Sequence, residues 1–433
     1  MNISTELPSL LGNMLTPADA TSRSTLNILR AGELLGLDRH VIENLINPQS
    51  IHIFRLHANV FGKPICVWGC TSFHNSARGI YKGGIRISAD VNVEETVELS
   101  RLMTLKTALA ELEMGGGKTG LKLDMPAIYH LCERTGYDRE FEKQVKRAVM
   151  KEYAHQYRGM LANRRYVPAP DMGSGPEEMV CIYNETHEPS SVTGKPEGVC
   201  GWLPGRAEAT GYGVFTIILG LLDKLGKRPE EARVAIQGFG NVGANAARFL
   251  HLRGIRVCGI ADARGGVCDM QGLDIPQVMR YAATHGSVAG FGAPLSTEAF
   301  FALPVDICVP AAINDAITPA LAQTIQARYV VEGANFPTQY AALQCLEARG
   351  IRVIPDIIAN AGGVIASAEE FAHAVSTTKI KPEAVYAIID EKIHSNWRYA
   401  EEIAVERNIS LDLACTLLAV QRVHGTMRVH GWI

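Results

Sequence analysis

Apolar and polar positions follow two different periods along this chain, and the switches between them outline its elements. Residues 25–46 carry apolar positions at helical spacing. The run closes at Asn47-Pro48, because the residue before a proline disfavours the helical region. At Ile51 the period shortens to two. The runs IHIFRLHANV and ICVWGCTSF are rich in β-branched and aromatic residues, and Phe61-Gly62-Lys63-Pro64 splits them, so they predict a hairpin. Helical spacing returns over residues 94–114, 138–155 and 176–186. The glycine-bearing runs Tyr81-Lys82-Gly83-Gly84-Ile85-Arg86 and Gly115-Gly116-Gly117-Lys118-Thr119-Gly120 read as loops between these elements. A Gly/Pro/Ser-rich stretch, residues 188–206, marks a domain boundary. Beyond it the pattern alternates: helix 208–225, strand 233–237, helix 242–252, strand 256–261, then short apolar strands at 306–309, 329–332 and 353–355. Short, wholly apolar runs are what buried parallel strands look like. The C-terminal part is helical again.

Composition narrows the class. The chain has 433 residues, and at roughly 100–200 residues per domain this is two to four domains. With 47% hydrophobic and 20% charged residues it can bury a large core without disulfide or metal staples, which excludes a disordered chain or a small secreted scaffold. The 42 Lys and Arg against 45 Asp and Glu give a net charge of −3, without the basic excess of a nucleic-acid binder. The longest apolar run, residues 214–222, contains a glycine and falls short of the roughly 20 residues of a membrane span. Residues 1–19 have no basic start and no long apolar stretch, so no secretory signal is expected. A soluble cytoplasmic protein follows, its ten cysteines free thiols. Cys66, Cys70 and His74 share one interval, but no second Cys/His pair matches it, and the reading is a strand with no metal.

Gly238, Phe239, Gly240, Asn241, Val242 and Gly243 spell G-x-G-x-x-G between a β-branched strand and an Ala-rich helix. In that setting the first glycine permits the tight turn, the second lets backbone approach a pyrophosphate, and the third lets helix and strand pack closely. The helix N-terminus offers free N–H groups to the phosphates. Asp262 ends the second strand, where an acid bonds the ribose 2′-hydroxyl of NAD. Arg264, two positions on, could instead hold the 2′-phosphate of NADP. NAD is the expected cofactor, with NADP kept open.

Leu99, Leu102, Leu105, Leu109 and Leu112 fall on one stripe at about 100° per residue, and Lys106 lies inside it. A lysine on a buried face is costly unless it is paired or functional. Gly117-Lys118-Thr119 resembles the end of a phosphate-binding P-loop, but that motif needs glycine at the position of Leu112 and a preceding strand, so ATP binding is discarded. Lys82 and Lys118 remain as lysines in glycine-rich runs. Asp171, in Pro168-Ala169-Pro170-Asp171-Met172-Gly173, is a candidate proton carrier or a turn residue.

Seven segments stand in one order: Y-K-G-G-x-R from Tyr81, M-x-x-K ending at Lys106, G-G-G-K-x-G from Gly115, P-A-P-D-M-G from Pro168, E-A-T-G-x-G from Glu208, G-F-G-N-V-G from Gly238 and N-A-G-G-V from Asn360. Together they resemble the glutamate/leucine/phenylalanine/valine dehydrogenase family over about residues 25–425. Lys82 makes the chain most similar to glutamate dehydrogenases. The resemblance implies NAD(P)-dependent oxidative deamination of an L-amino acid, L-glutamate first, to the 2-oxo acid and ammonium. Lys118 and Asp171 match the catalytic lysine and aspartate, and Lys106 the ligand of the α-carboxylate. Lys82 and Ser367 match the residues holding a side-chain carboxylate, and Gly83 and Ala169 small residues lining that pocket. Arg206, Thr210, Asn241 and Asn335 match positions near the nicotinamide and pyrophosphate.

The implied architecture is α/β, with two domains separated by a cleft. Residues 1–195, with helices 401–433 returning to them, would form a substrate and oligomerisation domain; residues 196–400 would form a Rossmann-like NAD-binding domain. A homo-oligomer, a hexamer, is implied, with small-molecule substrates and neither nucleic acid nor membrane as partner. Three departures leave the amino acid open: Glu113 and Thr119 around the catalytic lysine, Asp315 where asparagine is common, and Ala368-Glu369-Glu370 after Ser367. Alternatives are a dehydrogenase for a branched-chain, aromatic or uncommon amino acid, and a catalytically silent nucleotide-binding sensor.

Overall fold

A computed structural model describes residues 22–433; the N-terminal segment read for a secretory signal lies outside the described residues. The chain divides into two compact units. The first comprises the described residues up to Pro204, with Ser367–Ile380 and Thr416–Ile433; the second comprises Gly205–Ala366 and Lys381–Cys415.

The first unit is built on a five-stranded sheet in the order β1-β2-β4-β3-β5, with β1 at Ser50–Val60, β2 at Lys63–Asn75, β3 at Ile80–Ser88, β4 at Met114–Lys122 and β5 at Tyr166–Pro170. β1 and β2 form the expected antiparallel hairpin. β3 runs parallel to both β4 and β5. The helix Val93–Leu109 packs on one face of β4 and β2. On the other face Phe54, Leu56, Phe73 and Leu121 close over Val145, Val149 and Tyr153 of the helix Arg139–Gln156.

Two readings of the sequence change here. The Y-K-G-G and G-G-G-K runs are not loops but the parallel strands β3 and β4. Glycine is present because the neighbours leave no room for a side chain: a Cβ on Gly116 would lie 2.2 Å from Thr104 Oγ1, and one on Gly120 would lie 2.5 Å from Val91. The preceding helix stops at Leu109, short of Leu112, and is buried on nearly every side. The apolar stripe was therefore only part of its buried surface. Arg101 reaches from another side of it to Ile46 O at 2.8 Å and Thr25 Oγ1 at 2.6 Å, and Arg422 donates to the end carbonyls of Ala108 and Leu109. Along β2, Cys70 and His74 are buried and bonded to Thr96 and Thr104, whereas Cys66 is exposed.

The second unit holds a seven-stranded sheet in the order β12-β11-β10-β6-β7-β8-β9. β6 is Arg233–Gln237, β7 Arg256–Asp262, β8 Gly265–Cys268, β9 Pro294–Leu295, β10 Ile307–Pro310, β11 Tyr329–Val331 and β12 Arg352–Ile354. The five strands from β12 to β7 are parallel, and β8 and β9 extend the edge antiparallel. After β7 the next parallel strand, β10, lies on the opposite side of β6. That reversal of strand order is where doubly wound sheets bind dinucleotides. Among the described residues no helix is long and apolar enough to cross a membrane.

Candidate active site

In the first unit, three strands bring their basic and acidic groups together. Lys82 and Arg86 come from β3, Lys118 from β4, and Asp171 follows directly on β5. Lys106 comes from the helix packed on β4, near its C-terminus. Lys82, Lys106 and Lys118 are only 1%, 5% and 4% exposed. Lys118 Nζ contacts Asp171 Oδ2. Arg86 Nη2 lies 3.6 Å from Asp171 Oδ1, and its Nη1 contacts Glu95.

The electrostatics of this cluster act on Lys118. Burial holds its ammonium pKa well below the ordinary lysine value, and the positive charges of Arg86, Lys106 and Lys82 add to the effect, while Glu95 opposes it. The touching Asp171 carboxylate also favours the charged form. The net direction is down, because Lys118 is wholly enclosed and faces three cations. Lys118 therefore gives up its proton at lower pH than an ordinary lysine, beside the Asp171 carboxylate that its Nζ contacts.

Lys82 Nζ donates to Val167 O at 3.0 Å. Ser367, in the helix Gly362–Ala372, lies 2.6 Å from Thr193 Oγ1. Thr193 in turn donates its backbone N–H to Pro168 O at 3.0 Å, so Lys82 and Ser367 are both tied to β5. Ala169 is buried between those anchor points and Asp171. For Gly83 the structure supplies a reason of its own: a Cβ there would lie 1.6 Å from Gly117 O on β4.

In the second unit, β6 ends at Gln237 and Gly238 turns the chain with φ +96°. A Cβ on Gly238 would lie 2.6 Å from Ala311 O, and one on Gly243 would lie 1.9 Å from Gly238 O, so both positions require glycine. Gly240, at the N-cap of the helix Asn241–Leu252, has nothing within 4 Å of a built Cβ. Its missing side chain serves no protein neighbour; the space fits a phosphate at the helix N-terminus. Phe239 and Val242, flanking Gly240 and Asn241, are half-buried. Asn241 donates to Ala207 O at 2.9 Å, next to Arg206. Thr210 lies against Gly363, where a Cβ would meet its Oγ1 at 2.3 Å. Asn335 Oδ1 accepts from Asn360 at 3.2 Å. The N-A-G-G-V segment thus connects Thr210 and Asn335. Asp262 accepts from Arg264 N and Ser287 Oγ at one oxygen and from Val288 N at the other. Arg264 turns its guanidinium toward His285 O at 3.5 Å.

Arg86, Glu95, Thr193 and Lys195 were not singled out from the sequence, and Glu370 stood there only in the departure Ala368-Glu369-Glu370. Arg86 stood in the Y-K-G-G-x-R run, and its spacing of four from Lys82 along a strand puts both on one face. Nothing local marked the others. A cavity of about 870 Å³, lined by His52, Phe54, Tyr157, Asn163 and Arg165 among others, lies elsewhere in the first unit, and none of the candidate residues lines it.

Residues 201–431 match the Glutamate/Leucine/Phenylalanine/Valine dehydrogenase family, and residues 48–188 match the Glu/Leu/Phe/Val dehydrogenase dimerisation domain. A protein named glutamate dehydrogenase from Aeropyrum pernix is 35% identical over 432 residues, 97% of this chain and 100% of its own length. An NADP-specific glutamate dehydrogenase from Saccharolobus shibatae is 34% identical over 415 residues, covering 93% and 95%. Among solved structures, the leucine-bound hetero-hexameric glutamate dehydrogenase of Thermus thermophilus superposes with a TM-score of 0.86 at 27% identity, covering 94% of this chain and 95% of that one.

Proposed function

This chain belongs to the Glutamate/Leucine/Phenylalanine/Valine dehydrogenase family, and from that premise we propose that it is an L-glutamate dehydrogenase working with NAD. The observation that carries the proposal is the Lys118–Asp171 contact flanked by Lys82, Arg86 and Lys106. A nicotinamide cofactor, when bound, accepts the hydride from the substrate α-carbon. Everything else falls to side chains of the first unit.

Lys106 holds the α-carboxylate. Asp171 takes a proton from the substrate ammonium, so the amine lone pair can follow the departing hydride and form the iminium. Lys118, its charged form disfavoured by burial and by its cationic neighbours, removes a proton from the water that attacks the iminium carbon. Asp171 then returns its proton to the nitrogen, the C–N bond breaks as the new hydroxyl gives up its proton to become the 2-oxo group, and the departing ammonia takes that proton and leaves as ammonium. The balance is amino acid, NAD⁺ and water giving 2-oxo acid, ammonium, NADH and a proton.

Glutamate rather than an apolar amino acid is supported by the buried Lys82 and by Ser367, a cation and a hydroxyl suited to a second carboxylate. NAD rather than NADP is supported by Asp262, whose negative charge repels a 2′-phosphate, and by Arg264 pointing to a backbone carbonyl. The relative from S. shibatae is named NADP-specific, so family membership alone does not choose. A homo-oligomer is supported by the match to a dimerisation domain over residues 48–188, and a hexamer by the assembly named for the T. thermophilus protein. The free cysteines of this chain fit a reducing, cytoplasmic setting.

The test is the appearance of reduced nicotinamide, followed by absorbance, across a panel of L-amino acids with NAD and NADP in parallel. Glutamate with NAD should give the highest kcat/KM. A branched-chain or aromatic substrate outrunning glutamate, or no turnover at all, would sink the assignment.

A further inference from the structure

The helix Gly362–Ala372 carries Ser367 and, one turn later, Glu370, and both reach the same short segment, Val192-Thr193-Gly194-Lys195. Glu370 Oε2 accepts from the Gly194 amide at 2.6 Å. Its Oε1 accepts from the Lys195 amide at 3.2 Å and lies 2.9 Å from Lys195 Nζ. Both side chains of this ion pair are fully buried. Lys195 Nζ also donates to Val192 O at 2.6 Å, closing the segment on itself. On its other side the segment packs on β5. Thr193 donates its amide to Pro168 O at 3.0 Å and brings its hydroxyl to 3.4 Å from the same oxygen, and a Cβ on Gly194, with φ +81°, would lie 2.2 Å from Pro170 Cδ.

Desolvating two charges is costly, and an apolar pair of similar size commonly stabilises a core as well. What a carboxylate adds is acceptors for two consecutive backbone amides. That fixes a peptide whose glycine is in the left-handed region, and with it the side chain of Thr193.

We propose that the Lys195–Glu370 pair is a positioning device: it holds Thr193 against Ser367 and so aims the hydroxyl that, with Lys82, selects a substrate bearing a side-chain carboxylate. The proposal rests on the reading of Lys82 and Ser367 as that receptor. The hydrogen bond between Ser367 and Thr193 can run either way. Thr193 has one hydroxyl proton and two acceptors for it, Ser367 at 2.6 Å and Pro168 O at 3.4 Å; given to the nearer Ser367, it leaves the Ser367 proton for an incoming carboxylate. Without Thr193, a helical serine turns back to spend its proton on a carbonyl of the preceding turn.

The experiment compares kcat/KM for L-glutamate with that for L-norvaline, which has the same chain length but ends in a methyl group. It uses the wild-type enzyme, Ser367→Ala, Thr193→Val and the paired variant Glu370→Gln/Lys195→Met, which removes both charges together. The glutamate-to-norvaline ratio should fall about tenfold in the paired variant and in Thr193→Val, chiefly through a higher KM for glutamate, as for loss of a bond to a charged group. If both substrates slow together and the ratio holds, the pair is structural support only and the inference is overturned. Should the paired variant not fold, Glu370→Asp keeps both charges and draws the carboxylate back from the two amides by one methylene; the ratio should fall there too, and a ratio that holds overturns the inference. A ratio unmoved by Ser367→Ala and Lys82→Met would instead overturn the underlying receptor reading.

Discussion

Arg86 Nη2 stands 3.6 Å from Asp171 Oδ1, on the carboxylate oxygen that Lys118 leaves free. The guanidinium thus steadies the aspartate while its charge pushes the Lys118 pKa down, second only to burial. Replacing Arg86 by glutamine removes a like charge from beside Lys118 and leaves Glu95 acting on it, so the Lys118 pKa rises toward its ordinary value. The neutral amine is then reached only at higher pH. The rising limb of kcat/KM against pH, measured in deamination, should move to higher pH. An unmoved limb with a lowered plateau would assign Arg86 to holding Asp171 alone.

Two glycines of similar appearance in the sequence should respond oppositely to alanine. At Gly83 the new Cβ meets a backbone oxygen of β4 at 1.6 Å, and neither strand can give way without breaking their parallel pairing. Overpacking of this kind costs about 1–3 kcal/mol or more, so Gly83→Ala should lower the thermal midpoint. Gly240→Ala meets nothing within 4 Å and its φ of −80° suits any residue. That variant should fold with an unchanged midpoint and bind cofactor more weakly, seen as a higher KM for NAD or weaker quenching of reduced-nicotinamide fluorescence. Equal losses of stability at both positions would contradict the assignment of the open space at Gly240 to a ligand.

The contrast shows where the sequence was readable. The second unit repeats short apolar strands and helices at regular intervals, and β6, expected over residues 233–237, is found at Arg233–Gln237. The first unit hides its central strands. Gly115, Gly116 and Gly117 have the composition of a loop, and only the backbone of Asn75 and Ser76, the helix and the aromatic ring of Tyr166, pressed against them in turn, explain why β4 excludes side chains. Asp315, a departure from the family pattern, sits at φ +54°, a backbone region that asparagine and aspartate both tolerate, so the exchange is locally neutral. The partners of Ser367 and Glu370 lie 174–176 positions away in the chain, beyond the reach of any periodicity.

Cofactor choice can be tested at Asp262. Its carboxylate accepts three bonds from the 264 and 287–288 backbone and side chains, so a neutral replacement must keep an acceptor to preserve the turn. Asp262→Asn keeps an oxygen for Arg264 N and Ser287 Oγ, gives up the acceptor for Val288 N, and removes the charge that disfavours a 2′-phosphate. The ratio of kcat/KM for NAD over NADP should fall about tenfold, the scale of one charge-assisted hydrogen bond. A ratio already favouring NADP in the wild type would reverse the assignment of this carboxylate.

Thr119 is the residue directly after the catalytic lysine, and its hydroxyl faces the opposite side of β4. It lies 2.9 Å from Thr71 Oγ1, 3.1 Å from the Tyr153 hydroxyl and 3.3 Å from that of Tyr166, all fully buried. Burial raises the pKa of both tyrosines, so they stay protonated and need acceptors throughout the working pH range. Thr119→Val keeps the volume and removes the shared acceptor, leaving Tyr166 only the longer bonds to Gly83 O and Gly84 O at 3.5 and 3.4 Å. It should cost about 1–3 kcal/mol, the penalty for leaving buried hydroxyls unpaired, read as a lower thermal midpoint, whereas Thr119→Ser should retain most of the stability. Because β4 carries Lys118 on its other face, the valine variant should also lose kcat while the pH of its rising limb stays put. A midpoint equal to that of the wild type would mean that the two tyrosines find other acceptors in the core.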